Sequence, residues 1–482
     1  MLWLSSCLKN EELLTNPDVK IKFSTDTIFF DTTFTSVGSA TKIVKIYNQE
    51  KSAILISKIS IQGTQGIHFN FNVDGIEGPV AENIRIEAAD SIYLFCRVKV
   101  DPDQPLSVSP FVLEDKLVVE ISTAKHEIPL IAWGQNANYI TGKSSKAGYT
   151  LLTCNMQQLR WDDPKPYVIY GTLIIDSCEL NIPAGAKVYF HGGLVRPTDP
   201  NFASYTDGRL IFINEGKLKI NGTTDKKVLF TGDRLEQQYS EVPGQWGGIV
   251  LQNYGKTNQI SNLKIQNSGY GIYVDSTVTL HIDHSKIINT ATSSIIARQA
   301  NLQISNCQLT QAGAHNIYMV QGGNLEINYS TVHNDLSKSY ALYVTNFKCT
   351  QINPATGQCE QGVTLPVDIN AIDCIFSGTD QDEIFLVDRN NPVIPERFKY
   401  QFSHSYIKGD SLQKNEFKNH ATNCIFAAAD DRLFKNIYKN DYSLDSAAII
   451  LDKGIQIQGI TDDMLGVQRS DLSPDPGAYE KN

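Results

Sequence analysis

Four histidines, His281, His284, His315 and His333, fall within one 53-residue stretch. Imidazoles at that density are the first groups to weigh for metal binding or for proton transfer at neutral pH. They occupy different steps of the repeat described below, so scattered polar positions are the simpler account, and neither a metal nor another cofactor is expected. The adjacent carboxylates Asp430 and Asp431 could in principle share acid–base work on a glycosidic bond. No further acidic motif accompanies them, and next to Arg432 and Phe434 they read as a loop. Lys264, Lys286 and Arg298 are candidate outward-facing bases for proton abstraction, again without an acidic cluster to bind or neutralise a substrate carboxylate. No catalytic residue is therefore expected.

The cysteines and tyrosines carry more. Of nine cysteines no two have a Cys-x-x-Cys spacing, which argues against structural zinc. Cys349 and Cys359 bracket a polar loop and could bridge in an exported protein. Cys7 follows Leu4-Ser5-Ser6, which resembles a bacterial lipobox: the thiol would be acylated and would hold the chain to a membrane. Six residues precede it, none of them Lys or Arg, so the leader reads as truncated. Lys9-Asn10-Glu11-Glu12 looks like the acidic tether that sends some Bacteroidota lipoproteins to the cell surface. Tyr270, Tyr273, Tyr318, Tyr340 and Tyr343 recur beside one strand of successive repeats. Facing outward they would stack on sugar rings or cover a partner; alternate members facing inward would be core, and the residues alone leave both open.

What must position these groups is a solenoid. Hexapeptides starting at Ile260, Ile282, Ile304 and Ile327 are alike and 22, 22 and 23 residues apart, and the pattern returns at Ala371, Phe402 and Ala421. A fixed period in the low twenties means stacked coils. The ladder positions are Ile, Val, Phe and Ala where leucine-rich repeats would need Leu, and the intervening segments are again strand-like, which decides for a parallel β-helix. In one coil Ile304 should point inward, Ser305 outward, Asn306 should take the corner, and Cys307 and Leu309 should point inward. Cys307, Cys374 and Cys424 then share an inward row with Ser285, Ser330 and Ser405. The 44 residues before Ala371 read as two periods and the 31 before Phe402 as one coil with an insertion. About 260 residues at this period give roughly 12 coils and a solenoid roughly 55–60 Å long.

Ahead of it, residues 20–137 contain about seven short alternating strands separated by turns, as in an immunoglobulin-like sandwich. Phe30-Asp31, Asn48 after a β-branched strand, and the closing run Ile128 to Gly134 resemble the Hydin-type domains, which act as spacers or docking modules.

The expected fold is all-β: an N-terminal immunoglobulin-like β-sandwich followed by a right-handed parallel β-helix. Residues 1–19 form the leader and tether, 20–137 the sandwich, 138–165 a linker and first cap, 166–435 the β-helix, and 436–482 a C-terminal cap. With Trp246-Gly247-Gly248-Ile249 and the terminal Gly477-Ala478-Tyr479-Glu480, residues 140–482 resemble the right-handed β-helix lipoproteins of Bacteroidota. That resemblance implies an outer-membrane address, a lipid anchor on Cys7 and a protein or glycan partner. The net charge of −10, with no basic run, excludes ordinary nucleic-acid binding. Parallel β-helices also host polysaccharide lyases and glycoside hydrolases. A non-catalytic binding or scaffold subunit of an envelope complex is the leading expectation, and a carbohydrate-active enzyme or glycan-binding protein the second.

Overall fold

The computed structural model describes residues 13–30, 41–63, 68–99, 112–133, 137–141, 149–154, 158–195, 205–235, 239–335, 339–354, 356–414, 416–427 and 431–481; Cys7, the acidic tether and Asp430 lie outside them. The chain divides into two compact units, residues 1–137 with 233–237, and 138–232 with 238–482. Among the described residues no helix is long and apolar enough to cross a membrane.

The first unit is built of two five-stranded sheets. Alternating strands such as Lys42–Asn48 and Ile54–Ile61 turn every second side chain inward. Phe30, Ile46, Ile56, Leu94, Leu117 and Leu130 meet there in one core. Asn48 is buried, and its amide donates to Ser52 O (2.9 Å) and Glu87 O (2.8 Å), which fastens the turn after its strand.

The second unit is a solenoid of parallel strands, one above another, on three faces. The first two faces merge into a 17-stranded sheet and the third is an 11-stranded sheet. One coil shows the plan. Ile295–Ser305 runs along the first face, turns at Gln299 (φ 51°) and continues along the second; Gln308–Ala312 then forms the third. Ile295, Ala297, Leu302, Ile304 and Leu309 point inward and are at most 1 % exposed. Burying each Ile or Leu in this way stabilises the coil by about 2 kcal/mol.

The corner between second and third faces follows the expected logic. Asn262, Asn306, Asp373 and Asn423 all have left-handed backbone, as do His284, Tyr329 and His404 at the same step. Just inside the corner the small-residue row has a specific use. Ser285, Ser330 and Ser405 each accept the N–H of the coil below, from Leu263 (3.0 Å), Cys307 (3.1 Å) and Cys374 (3.0 Å). Of the thiols in this row Cys307 and Cys374 are buried and Cys424 is half-buried; burial pushes Cys307 up to about 12 and Cys424 up to about 11, which disfavours the thiolate.

Two readings of the repeat need correction. Gly323–Asn328 pairs directly with Val367–Ile372, with Ile327 opposite Ala371, so those 44 residues form one coil and not two. The surplus leaves the solenoid as an antiparallel hairpin, Phe347–Ile352 with Cys359–Thr364, in which Cys349 and Cys359 are disulfide-bonded. Coils near the start are also long, since Leu180 pairs with Leu218 and Ile220 with Ile260. The described third face therefore carries 11 strands in place of roughly 12 coils. Ten spacings of about 4.8 Å make the stack about 48 Å long.

The C-terminal segment runs along the side of the solenoid, over the corner row and the third face. Ile455 N–H meets the Asp373 carboxylate (3.1 Å), Arg469 reaches Asn306, and Lys227 Nζ donates to Met464 O (3.2 Å). In the terminal Gly-Ala-Tyr-Glu, Gly477 (φ 95°) lies against Ile375, Ala478 N–H donates to Thr331 Oγ1 (3.0 Å) and Tyr479 OH to Gln308.

Candidate functional site

The strands of the first face share a three-residue pattern in which an outward side chain sits between two inward ones. In Ile272–Val274 the middle residue is Tyr273, flanked by fully buried Ile272 and Val274; Tyr318 and Tyr343 sit likewise. Because neighbouring coils pair in register, these middle residues form one column. Leu151, Ile174, Ile211, Val250, Tyr273, Ile296, Tyr318, Tyr343 and Phe385 occupy successive rungs. All are at least partly exposed except Val250, and Leu151 (47 %) and Phe385 (41 %) are open.

At one end the column widens into an aromatic cluster. Tyr318 packs on Tyr343 (ring centroids 5.3 Å apart) and Tyr343 stacks on Phe385 (5.4 Å). Tyr340, in the turn before its strand, stacks on Phe385 at 4.9 Å. His315 lies against Tyr318, Tyr340 and Tyr343 at 5.3, 5.3 and 4.8 Å. Its Nδ1 accepts the backbone N–H of Tyr340 (3.0 Å), which leaves the proton on Nε2, and burial holds its pKa below the ordinary value. Neutral His315 therefore stabilises the cluster above the unfolded pKa of about 6.5, and that contribution is lost as pH falls from there through the folded value. Near-UV circular dichroism of the tyrosines should weaken between pH 7 and 5 in the wild type and should not in His315→Gln.

The five tyrosines do not act alike. Tyr273, Tyr318 and Tyr343 share the outward column, whereas Tyr340 and Tyr270 come from the turns before it. Tyr270 lies over Gly248, where an added Cβ would meet its ring at 2.7 Å, and contacts Tyr273 edge-on at 6.5 Å. Trp246 beside it is core: it stacks on Phe190 at 4.0 Å and donates to Gln266 O (2.9 Å). Phe385 and the aliphatic rungs carry no tyrosine and so escape the tyrosine spacing; the apolar–large–apolar triplet, as in Ile384-Phe385-Leu386, is the signal that finds them, while His315, expected to be a scattered polar position, lies inside the aromatic cluster.

Polar groups flank the column. Arg298 makes an ion pair with the buried carboxylate of Asp275 (2.6 Å), which also accepts from Gln252 (3.2 Å), so Arg298 is a fixed donor and not a free base. Lys264 and Lys286 point out of the coil on adjacent rungs of the third face but are half-buried there, so neither is a freely exposed base. Burial, then repulsion from Lys264 and Lys227, lowers Lys286 to about 8, and its Nζ donates to Asn440 O (3.2 Å). Asp431 accepts from Tyr406 OH (2.8 Å). His284 sits at a corner between Asp283 (2.8 Å) and Asp462 (3.4 Å). His281 and Gln303 lie on the second face, beside a shallow groove of about 560 Å³ lined by Asn301, Asn324, Glu326 and Asp368. A second disulfide, Cys154–Cys178, was not anticipated; it ties the first coils together.

Residues 219–356 and 247–398 match the family described as "Right handed beta helix region". The solenoid is a right-handed β-helix. Among solved structures the chain is similar to the pectate lyase Pel9A, at 12 % identity and a TM-score of 0.37 over 72 % of this chain and 87 % of that one. It is also similar to a family 123 glycoside hydrolase from Clostridium perfringens, at 6 % identity and a TM-score of 0.17, over 50 % and 63 % of the two chains. A curated relative, "Probable polyketide synthase 22" of Dictyostelium discoideum, is 23 % identical over 252 residues, 45 % of this chain; the matched part is 10 % of that protein's length. These likenesses are too distant to carry chemistry from those proteins to this one.

Proposed function

We propose that this chain is an outer-membrane lipoprotein, anchored through Cys7, whose β-helix presents its first face to a protein partner in an envelope complex, without catalysis at that face. The column from Leu151 to Phe385 is the observation that carries this reading. It is about 38 Å long at 4.8 Å per rung and ends in aromatic side chains packed on one another. Ordered Tyr and Phe lose little conformational freedom on binding and are favoured anchors at interfaces, whereas a small ligand asks for a concave site. The immunoglobulin-like reading of the first unit gives it the matching part of spacer or dock.

A second reading, a glycan-binding face, draws support from the donors and acceptors beside the aromatics, Gln252, Asp275 and Arg298, which suit sugar hydroxyls. One experiment separates the two. A photo-crosslinking amino acid at Tyr343, in cells, should give discrete protein adducts, and the same probe with Cys7→Ser should move to the soluble fraction and lose them. Absence of protein adducts, together with retention of the purified chain on a defined polysaccharide, would put the glycan reading first.

A further inference from the structure

On the third face, away from the aromatic column, a second constellation has the parts of a hydrolytic centre. We propose that Ser377, His333 and Asp335 act as nucleophile, general base and positioning carboxylate for hydrolysis of small O-acyl esters.

The solenoid register builds the set. His333 and Ser377 are opposite one another on adjacent rungs, in Thr331–Asn334 and Ile375–Gly378, and Asp335 follows two residues after the histidine. Ser377 Oγ lies 2.8 Å from His333 Nδ1, and His333 Nε2 lies 2.6 Å from Asp335 Oδ1. An ionised carboxylate only accepts, so Nε2 carries the proton, and the neutral imidazole then has its Nδ1 lone pair free to accept from the serine hydroxyl. That is the polarity a serine nucleophile needs. Burial alone would raise Asp335; the hydrogen bonds from His333 and Tyr442 work against this, and the carboxyl stays below the ordinary carboxylate range. Tyr442 OH donates to its second oxygen (3.3 Å), and the edges of Phe434 and Tyr442 hold the imidazole plane.

His333 and Ser377 line a cavity of about 460 Å³ whose far wall is the C-terminal segment, including Phe434. Lys408, one rung beyond Ser377, lines the same cavity with its Nζ on Gly378 O (2.8 Å) and brings a cationic group to it. A cavity of this size takes a short acyl group and part of its alcohol. In the reaction Oγ bonds to the acyl carbon while its proton passes to His333 Nδ1. The acyl C–O bond breaks, and the leaving alcohol oxygen takes that proton. Water then attacks the acyl-serine, gives a proton to His333, and the carboxylic acid leaves as Oγ is reprotonated. Water is the sole co-reactant.

The test uses the full chain. A fluorophosphonate probe should label wild type once, at Ser377 by peptide mapping, and p-nitrophenyl acetate should be hydrolysed. Ser377→Ala, checked for folding by circular dichroism, should lose both. Asp335→Asn offers an amide that can donate to Nε2 and so favours the wrong tautomer; kcat should fall about 100-fold with KM held. Folded wild type without label or turnover would overturn the proposal, as would label at another serine or hydrolysis that persists in folded Ser377→Ala. If Ser377→Ala does not fold, the mapped label on wild type decides.

Discussion

Arg469→Ala is expected to lower stability by about 3–5 kcal/mol, the usual loss when one member of a buried charged network is removed. The guanidinium donates to Asn306 Oδ1 (2.7 Å), Gly477 O (2.9 Å), Asp475 O (2.9 Å) and Asp462 O (3.2 Å), and it lies 3.8 Å over the Tyr329 ring. Its partner carboxylate Glu480 is 6 % exposed at 3.4 Å, so alanine leaves a buried anion and several acceptors without donors. These bonds join the C-terminal segment to the corner row, and the loss should be local first. Urea unfolding should show an earlier transition, and limited proteolysis should cut within residues 445–481 before the solenoid. An unchanged midpoint with an uncut segment would mean that the segment is held by other contacts.

The second large effect concerns the core. Ile304→Asp should cost several kcal/mol, because the side chain is 1 % exposed between Ile282 and Ile327 of the adjoining coils and a carboxylate there has no partner. Gln303→Ala, one residue away on the solvent side, should change the melting temperature hardly at all. Strand side chains alternate, so the pair fixes the register: a slip by one residue would exchange the two outcomes.

Much of this was legible because a coil is a local object. The 22-residue period, the inward Ile304 and Leu309, the Asn306 corner and the Ser/Cys row each follow from residues within one turn of chain. The errors arise where the chain leaves that rule. Forty-four residues suggested two coils, yet 18 of them, Phe347–Thr364, form the disulfide-bonded hairpin, and length alone cannot tell a coil from an insertion. Lys264 and Lys286 looked exposed because the residues that cover them lie far along the chain; Asn440 is 154 residues from Lys286. The pairing of Ser377 with His333 across 44 residues is invisible for the same reason. The outward column was legible in part: the tyrosine spacing picks out Tyr273, Tyr318 and Tyr343, but only the register joins them to Leu151, Ile174 and Ile211.

The central claim is that the outward column recognises a partner. Its most direct measurement compares wild type with Tyr318→Ala/Tyr343→Ala/Phe385→Ala for affinity toward the protein captured by the Tyr343 crosslinker. These side chains are partly exposed and lie outside the coil interior, so the melting temperature should stay within a few degrees. Removing three adjacent aromatic anchors should weaken binding at least about 100-fold, since single anchors of this kind contribute 2 kcal/mol or more. A folded triple variant that binds as tightly as wild type would contradict the account.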